Sequence, residues 1–256
     1  MKQNVVFKDL AGKSVFVTGG GSGIGASLTE GFLAQGAKVA FVQRSDAGAF
    51  VDRMAETYGA APLFLPCDIT DVSALKDCLS QAAARHGPVS ALVNNAANDA
   101  RHTLAETTVE AWDKGMAINL RPHFFTAQAV AEGMRKLGGG SIINFSSISY
   151  MMGNGGYPGY MAAKAGITGV TRALARELGP DNIRVNALMP GWVLTERQKE
   201  LWATPEDLKA HLEKQCLKHH LTPEDVVDTT LFLASDASKM MTAQALVVDG
   251  GVVMTG

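Results

Sequence analysis

Three cysteines in 256 residues (Cys67, Cys78 and Cys216) are too few and too scattered for a disulfide framework, and no C-x-x-C pair or zinc-ligand spacing occurs among them. No metal centre is expected, and a reducing, cytoplasmic setting fits. Positive charge is not in surplus either. With 23 Lys and Arg against 25 Asp and Glu, the formal net charge is −2, so neither a nucleic acid nor an anionic membrane would find a basic patch. No run of about 18 apolar residues is present. Met1 to Asp9 is polar and carries no apolar stretch with a cleavage site, so an unprocessed chain that does not enter a membrane is expected. Internal repeats and low-complexity linkers are missing too. What remains, 46% hydrophobic and 19% charged, is a composition that can bury a sizeable core, read as one domain over residues 1–256.

Short β-branched runs alternate with longer helical patterns from end to end, the mark of a parallel sheet covered by helices on both faces. Seven strands are expected: Ser14–Thr18, Lys38–Val42, Leu63–Leu65, Ala91–Val93, Ser141–Phe145, Arg184–Leu188 and Ala245–Val248. Nearly all lack alternating polarity, as strands buried on both faces should. Helical patterns include Ala26–Gln35, stopped by Gly36, and Asp71–His86, stopped by Gly87 and Pro88. Gly138 to Gly140 reads as a tight helix-to-strand connection, not as a domain boundary. The fold class is therefore α/β, a doubly wound Rossmann fold with a seven-stranded parallel sheet.

The first strand runs into Thr18-Gly19-Gly20-Gly21-Ser22-Gly23-Ile24-Gly25 and then into a helix. Such a loop offers backbone N–H groups and a helix N-terminus to a pyrophosphate, and its glycines allow close approach and positive φ. The spacing is T-G-x-x-x-G-x-G, with glycines at 19, 23 and 25. After the second strand come Gln43, Arg44 and Ser45, where a dinucleotide fold reads the adenosine ribose. No acid stands at this strand end. Arg44 can grip a 2′-phosphate, with Ser45 or Ser22 adding a hydroxyl, unless neighbouring Asp46 takes up the guanidinium. NADP is favoured, and NAD stays open.

Tyr160 and Lys164 stand four apart on one helical face. A tyrosine, with its ordinary pKa near 10, needs neighbouring positive charge to act as a base at neutral pH. Lys164 supplies one such charge, and an oxidised nicotinamide supplies another. The strand Ser141–Phe145 ends in Ser146 and Ser147, and strand ends of an open parallel sheet face the ligand crevice. Ser147, thirteen residues before Tyr160, can hold a reacting oxygen beside the phenol, with Ser146 and Ser149 as weaker rivals. Asn94 and Asn95 end the fourth strand, and Asn119 sits within a helical pattern.

These marks, in order, resemble the short-chain dehydrogenase/reductase family: TGGGSGIG at 18–25, CDIT at 67–70, NNA at 94–96, Asn119, Ser147, YMAAK at 160–164, PGWVLT at 190–195 and DGG at 249–251. The resemblance covers Leu10 to Gly251. It implies that Tyr160 is the acid/base, that Lys164 lowers its pKa and holds the nicotinamide ribose, that Ser147 orients the substrate and that Asn119 carries a proton-relay water. It also implies that Asp68 and Ile69 meet the adenine, that Asn95 meets the ribose region, and that Pro190, Gly191, Val193 and Thr195 hold the nicotinamide amide. Two departures stand out. Ala97 replaces the glycine of the usual NNAG, and Ser22 stands where many NADP-using relatives carry a base. The family commonly pairs helices such as 160–178 into dimers and tetramers. Here Ala162, Ala165, Gly166 and Gly169 would permit close approach, so a homodimer or homotetramer is expected.

The stretches 94–104, 118–125 and 190–202 resemble, more narrowly, bacterial sugar dehydrogenases of this family, such as D-xylose or D-galactose 1-dehydrogenases, which oxidise an aldose at C1 to the lactone. A sugar needs convergent hydrogen-bonding groups and a flat apolar face. Asn98, Arg101, His102, Ser149, Asn154, Arg197 and Gln198 offer the former, and Tyr157, Trp192 and Trp202 the latter. A lid over about 193–220 is expected, with a monosaccharide as partner. Two other readings stay open: a reductase of 3-oxoacyl thioesters or other carbonyls, and a dinucleotide-binding sensor or scaffold without catalysis.

Overall fold

The computed structural model describes residues 5–255; Met1 to Asn4, part of the polar stretch noted above, lie outside it, as does Gly256. In chain order the elements are β1 (Ser14–Thr18), α1 (Gly23–Ala34), β2 (Lys38–Gln43), α2 (Gly48–Tyr58), β3 (Leu63–Pro66), α3 (Val72–His86), β4 (Ala91–Asn94), α4 (Val109–Asn119), α5 (Arg121–Lys136), β5 (Gly140–Phe145), α6 (Ser149–Met152), α7 (Pro158–Leu178), β6 (Ile183–Pro190), α8 (Glu196–Leu201), α9 (Pro205–Lys214), α10 (Val227–Ala234) and β7 (Ala245–Val248). All seven expected strands form, each within two residues of the expected bounds. The strands are parallel in the order β3-β2-β1-β4-β5-β6-β7. The order reverses between β1 and β4, which opens a crevice at the carboxyl ends of these strands.

Successive β1 residues feed opposite cores, as the two-residue period of a strand requires. Val15 and Val17 join Leu28 and Phe32 of α1, Phe50 of α2 and Leu231 of α10. Phe16 joins Leu75 and Leu79 of α3, Val130 and Met134 of α5 and Leu174 of α7. Each fully buried Phe or Leu contributes about 1.5–3 kcal/mol, so the sheet is gripped from both sides. α1 starts at Gly23, earlier than the sequence pattern suggests, because its glycines fit a crowded strand-to-helix turn. The link from α5 to β5 is as tight as expected: Gly139 takes φ 154°, and a Cβ there would come within 2.8 Å of the Asn182 carbonyl.

Candidate active site

The loop between β1 and α1 is shaped by backbone crowding. Gly19 and Gly23 have φ of 69° and 51°, which side chains disfavour, and a Cβ on Gly25 would overlap the Gly19 carbonyl oxygen. From β4, Asn95 Nδ2 donates to the carbonyls of Thr18 and Gly19 at 3.1 and 3.3 Å. Thr18 Oγ1 accepts the N–H groups of Asn95 and Ala96, each at 3.0 Å. Ser22, the N-cap of α1, makes no side-chain bond to the first turn, so no cap competes with an anion for those N–H groups. A pyrophosphate fits this cradle, which added Cβ atoms would close.

At the ribose end, Gln43 belongs to the scaffold: its Oε1 accepts the Gly21 N–H at 3.0 Å, and its Nε2 donates to the Ser45 carbonyl at 3.1 Å and hydroxyl at 3.3 Å. Arg44 is 70% exposed with Nη1 3.8 Å from Asp68 Oδ2. Its acidic partner is thus Asp68, which corrects the expectation that Asp46 would compete for it. Asp46 instead accepts the Gly48 N–H at 3.2 Å. Asp68 Oδ1 accepts the N–H and hydroxyl of Thr70 at 2.9 and 2.8 Å; with the backbone bond foremost, these contacts hold its carboxyl below the usual range. Ile69 is buried in the core beside it.

The reacting cluster lies at the carboxyl end of β5. Lys164 is 2% exposed, and its Nζ donates to the Phe145 carbonyl at 2.7 Å while lying 5.5 Å from the Tyr160 ring centroid. The Ser146 hydroxyl is committed to the Lys164 carbonyl at 2.7 Å, which removes it as a rival. Ser147 Oγ accepts the Ser149 N–H at 3.1 Å, and the hydroxyl works to lower the pKa of the Tyr160 phenol. Asn119 proves to be the last residue of α4. Its Oδ1 accepts the Asn98 N–H at 2.8 Å and its Nδ2 donates to the Asn98 carbonyl at 3.0 Å. Past it the helix breaks, and the His123 N–H goes to the Leu120 carbonyl at 3.1 Å instead of taking the Asn119 carbonyl in a regular i to i−4 bond.

Electrostatics here depart from the sequence expectation. Burial raises the Tyr160 phenol above its ordinary value and the Asp99 carboxylate raises it further, while the Ser147 hydrogen bond works the other way. Burial drives Lys164 down to about 7, against an upward pull from Asp99. The lowering of Tyr160 expected from Lys164 is not among the leading effects within the protein, where burial and Asp99 raise the phenol against Ser147. Behind them, burial and then the Lys164 charge push the His123 imidazole down to about 3.

Tyr160 and Lys164 open on a cavity of about 560 Å³. It brings together Ile24, Asn95, Ser147, Pro190, Gly191, Val193 and Thr195 with the expected substrate residues Arg101, Ser149, Asn154, Tyr157 and Trp192. Asn98, His102 and Arg197 stand behind the wall. His102 Nε2 meets the Gly159 N–H at 3.1 Å, which steadies the start of α7. Arg197 Nη2 lies 3.3 Å from Asn98 Oδ1. The Arg101 guanidinium stacks 3.9 Å over the Tyr157 ring and 5.0 Å from the Trp202 ring. The segment from Val193, bridged to Leu221, closes the cavity with α8 and α9. Thr195 caps α8 and accepts the Gln198 N–H at 3.3 Å, which points Gln198 inward.

Several lining residues escaped the sequence reading, among them Asp99 and four on α9, Asp207, Ala210, His211 and Lys214. Asp99 accepts from Gln198 Nε2 at 2.7 Å, and His211 of α9 packs edge-on to Trp192 at 5.4 Å. Asp99 comes three residues after the N-N-A motif at 94–96, which is the one signal that could have found it; nothing local distinguishes His211. Among the described residues no cluster of His, Cys, Asp and Glu could hold a metal, and no helix is long and apolar enough to cross a membrane.

Known proteins match this arrangement. A family model described as enoyl-(acyl carrier protein) reductase covers residues 19–253. A probable galactose dehydrogenase, GalD, of Rhizobium meliloti (strain 1021) is 50% identical over 96% of this chain and 97% of its own. D-xylose 1-dehydrogenase of Caulobacter vibrioides is 46% identical over 97% and 98%. The crystal structure of a putative short-chain alcohol dehydrogenase from Sinorhizobium meliloti 1021 superposes with a TM-score of 0.91 at 32% identity, over 96% of this chain and 98% of that one.

Proposed function

The chain belongs to the short-chain dehydrogenase/reductase family, and on that premise we propose that it oxidises a cyclic monosaccharide at C1 to the lactone, with NADP as the favoured dinucleotide. One observation carries the sugar reading. Ser149 Oγ, Trp202 Nε1 and His211 Nε2 are buried without a hydrogen-bond partner, and all three residues line the cavity. Leaving such groups unpaired costs about 1–3 kcal/mol each, and a polyhydroxylated ring can satisfy all three while lying against Trp192 and Tyr157. Burial lowers the His211 pKa, so at neutral pH it meets hydroxyls as an uncharged ring. An apolar ketone or acyl chain would leave the three groups unmatched.

A bound nicotinamide dinucleotide supplies the hydride acceptor and, when oxidised, a positive charge beside the phenol. Gly19, Ser22, Gly23, Ile24 and Gly25 would hold its pyrophosphate, Arg44, Ser45, Asp68, Ile69 and Asn95 its adenosine side, and Pro190, Gly191, Val193, Thr195 and Lys164 its nicotinamide end. Tyr160 accepts the proton of the C1 hydroxyl, Ser147 steadies that oxygen, and the Asn119 carbonyl, left by the helix break, anchors the path by which the proton leaves. Oxidation should therefore quicken as pH rises toward the elevated Tyr160 pKa. A homodimer or homotetramer is part of the proposal, supported by Val109, Trp112 and Phe124, exposed on α4 and α5. Gly166 does not serve it, because a Cβ there would sit 3.1 Å from Leu120 of the same chain. The free cysteines support a cytoplasmic setting. A panel of aldoses and ketones, assayed by reduced-cofactor absorbance with NAD and with NADP, tests the reading; turnover of ketones or acyl thioesters alone would refute it.

A further inference from the structure

Asp99 sits in the loop after β4, and its side chain, 21% exposed, lines the cavity together with Tyr160 and Lys164. Its position is fixed from the lid. Gln198 Nε2 donates to Oδ2 at 2.7 Å, and Gln198 Oε1 in turn accepts Trp192 Nε1–H at 2.9 Å, so both ends of Gln198 are occupied. Oδ1 is different. Its ion-pair partner is Arg197 Nη2 at 3.6 Å, beyond hydrogen-bond length, and that guanidinium lies nearer to Asn98. One oxygen of an anchored carboxylate is left with acceptor capacity beside the reacting groups.

We propose that Asp99 is a specificity-determining residue, accepting a hydrogen bond from the C2 hydroxyl of a cyclic aldose whose C1 oxygen rests at Tyr160. The assignment rests on the aldose reading and deepens it. An ionised carboxylate only accepts hydrogen bonds. Two atoms flank C1 of a cyclic aldose: the ring oxygen, which carries no proton, and C2, whose hydroxyl does. Only C2 can face Asp99 productively, so the carboxylate fixes which way round the ring lies. Asp99 shares the cavity with Tyr160 and Lys164, and its charge raises both. The other charged groups around the cavity are Arg101, stacked on Tyr157, and Asp207 and Lys214 on α9, where the titratable His211 also lies, with Arg197 behind Asp99.

The test pairs each sugar with its 2-deoxy form, D-galactose with 2-deoxy-D-galactose and D-xylose with 2-deoxy-D-xylose, in wild type, Asp99→Asn and Asp99→Ala. Wild-type kcat/KM should fall about 10- to 100-fold on loss of the 2-hydroxyl, the range of a charge-assisted bond. In both variants that ratio should shrink to about threefold or less, because only the intact sugar loses a contact, whereas any change the variants make to Tyr160 and Lys164 falls on both sugars of a pair and cancels in the ratio. The comparison across variants cancels the intrinsic effect of the hydroxyl on C1 reactivity. Equal discrimination in wild type and the variants, or none in wild type, overturns the role of Asp99 while aldose oxidation stands. If wild type oxidises neither intact sugar, the aldose reading fails in that arm alone and takes this assignment with it.

Discussion

The dinucleotide cradle and the substrate mouth are built on opposite principles. In the cradle the constraints fall on the backbone: positive φ at Gly19 and Gly23, a Gly25 that admits no Cβ, and carbonyls of Thr18 and Gly19 held by hydrogen bonds from the Asn95 side chain. In the mouth they are side-chain bonds between distant segments, with Asp99 meeting Gln198, Arg101 stacking on Tyr157 and Trp192 packing on His211. The two also differ in anchoring: α1 buries seven residues, whereas α8 and α9 bury none. Helices so lightly held should open at lower free energy than the sheet. Cradle substitutions should therefore act on cofactor binding whatever the substrate, and mouth substitutions should change specificity with the fold intact.

The sharpest separation of the two regions comes from Tyr160→Phe, which deletes one oxygen where they meet. Turnover should fall by about 100-fold or more, with dinucleotide affinity, read by fluorescence titration, nearly unchanged. A variant that loses both together would show that cradle and mouth are not separable. Next in size is cofactor choice. Replacing Gln43 by Asp and Arg44 by Ile puts an acid at the ribose and removes the base, so the ratio of NADP to NAD efficiency should drop about 10- to 100-fold. An unchanged ratio would move phosphate recognition to Ser22 or Ser45. Because Gln43 also braces Gly21, a fall in affinity for both dinucleotides would count it as scaffold.

A smaller effect concerns Lys164, shared by both regions. Its pKa in the folded protein, about 7, lies below the ordinary 10.5, so between those values the unfolded chain holds a proton that the folded one lacks. Stability from this group then rises with pH across that window. Thermal melts of wild type and Lys164→Met at pH 7 and pH 9 should show wild type gaining on the variant at the higher pH. A constant difference would mean that Lys164 is not buried as described. Smallest is Thr204→Ala. Thr204 caps α9, accepting the Asp207 N–H at 3.1 Å, and its loss should cost about 1 kcal/mol locally. Hydrogen exchange should quicken in 205–214 and leave β1 and β4 untouched.

The difference between the regions also explains what could be read in advance. Strand bounds, the glycine loop and the Tyr160–Lys164 pair were legible because each depends on neighbours in one element: a run of β-branched residues, a steric demand on three glycines, a four-residue spacing on a helix. Asn119 was legible as a residue, but its place at a helix end was not read, although Pro122 in the first turn of α5 is a local signal for a break there.

What the sequence determined by itself is the α/β architecture, the glycine loop between β1 and α1, and the placing of Tyr160 and Lys164 on one helix, because backbone sterics and the periods of helix and strand act locally. Only the tertiary structure decided that Arg44 pairs with Asp68 and not Asp46, that Gly166 packs within its own chain, that Asp99 stands beside Tyr160, and that burial brings Lys164 down to about 7. Those outcomes depend on the direction of side chains and the loss of water where segments far apart in the chain converge, and no local pattern encodes either.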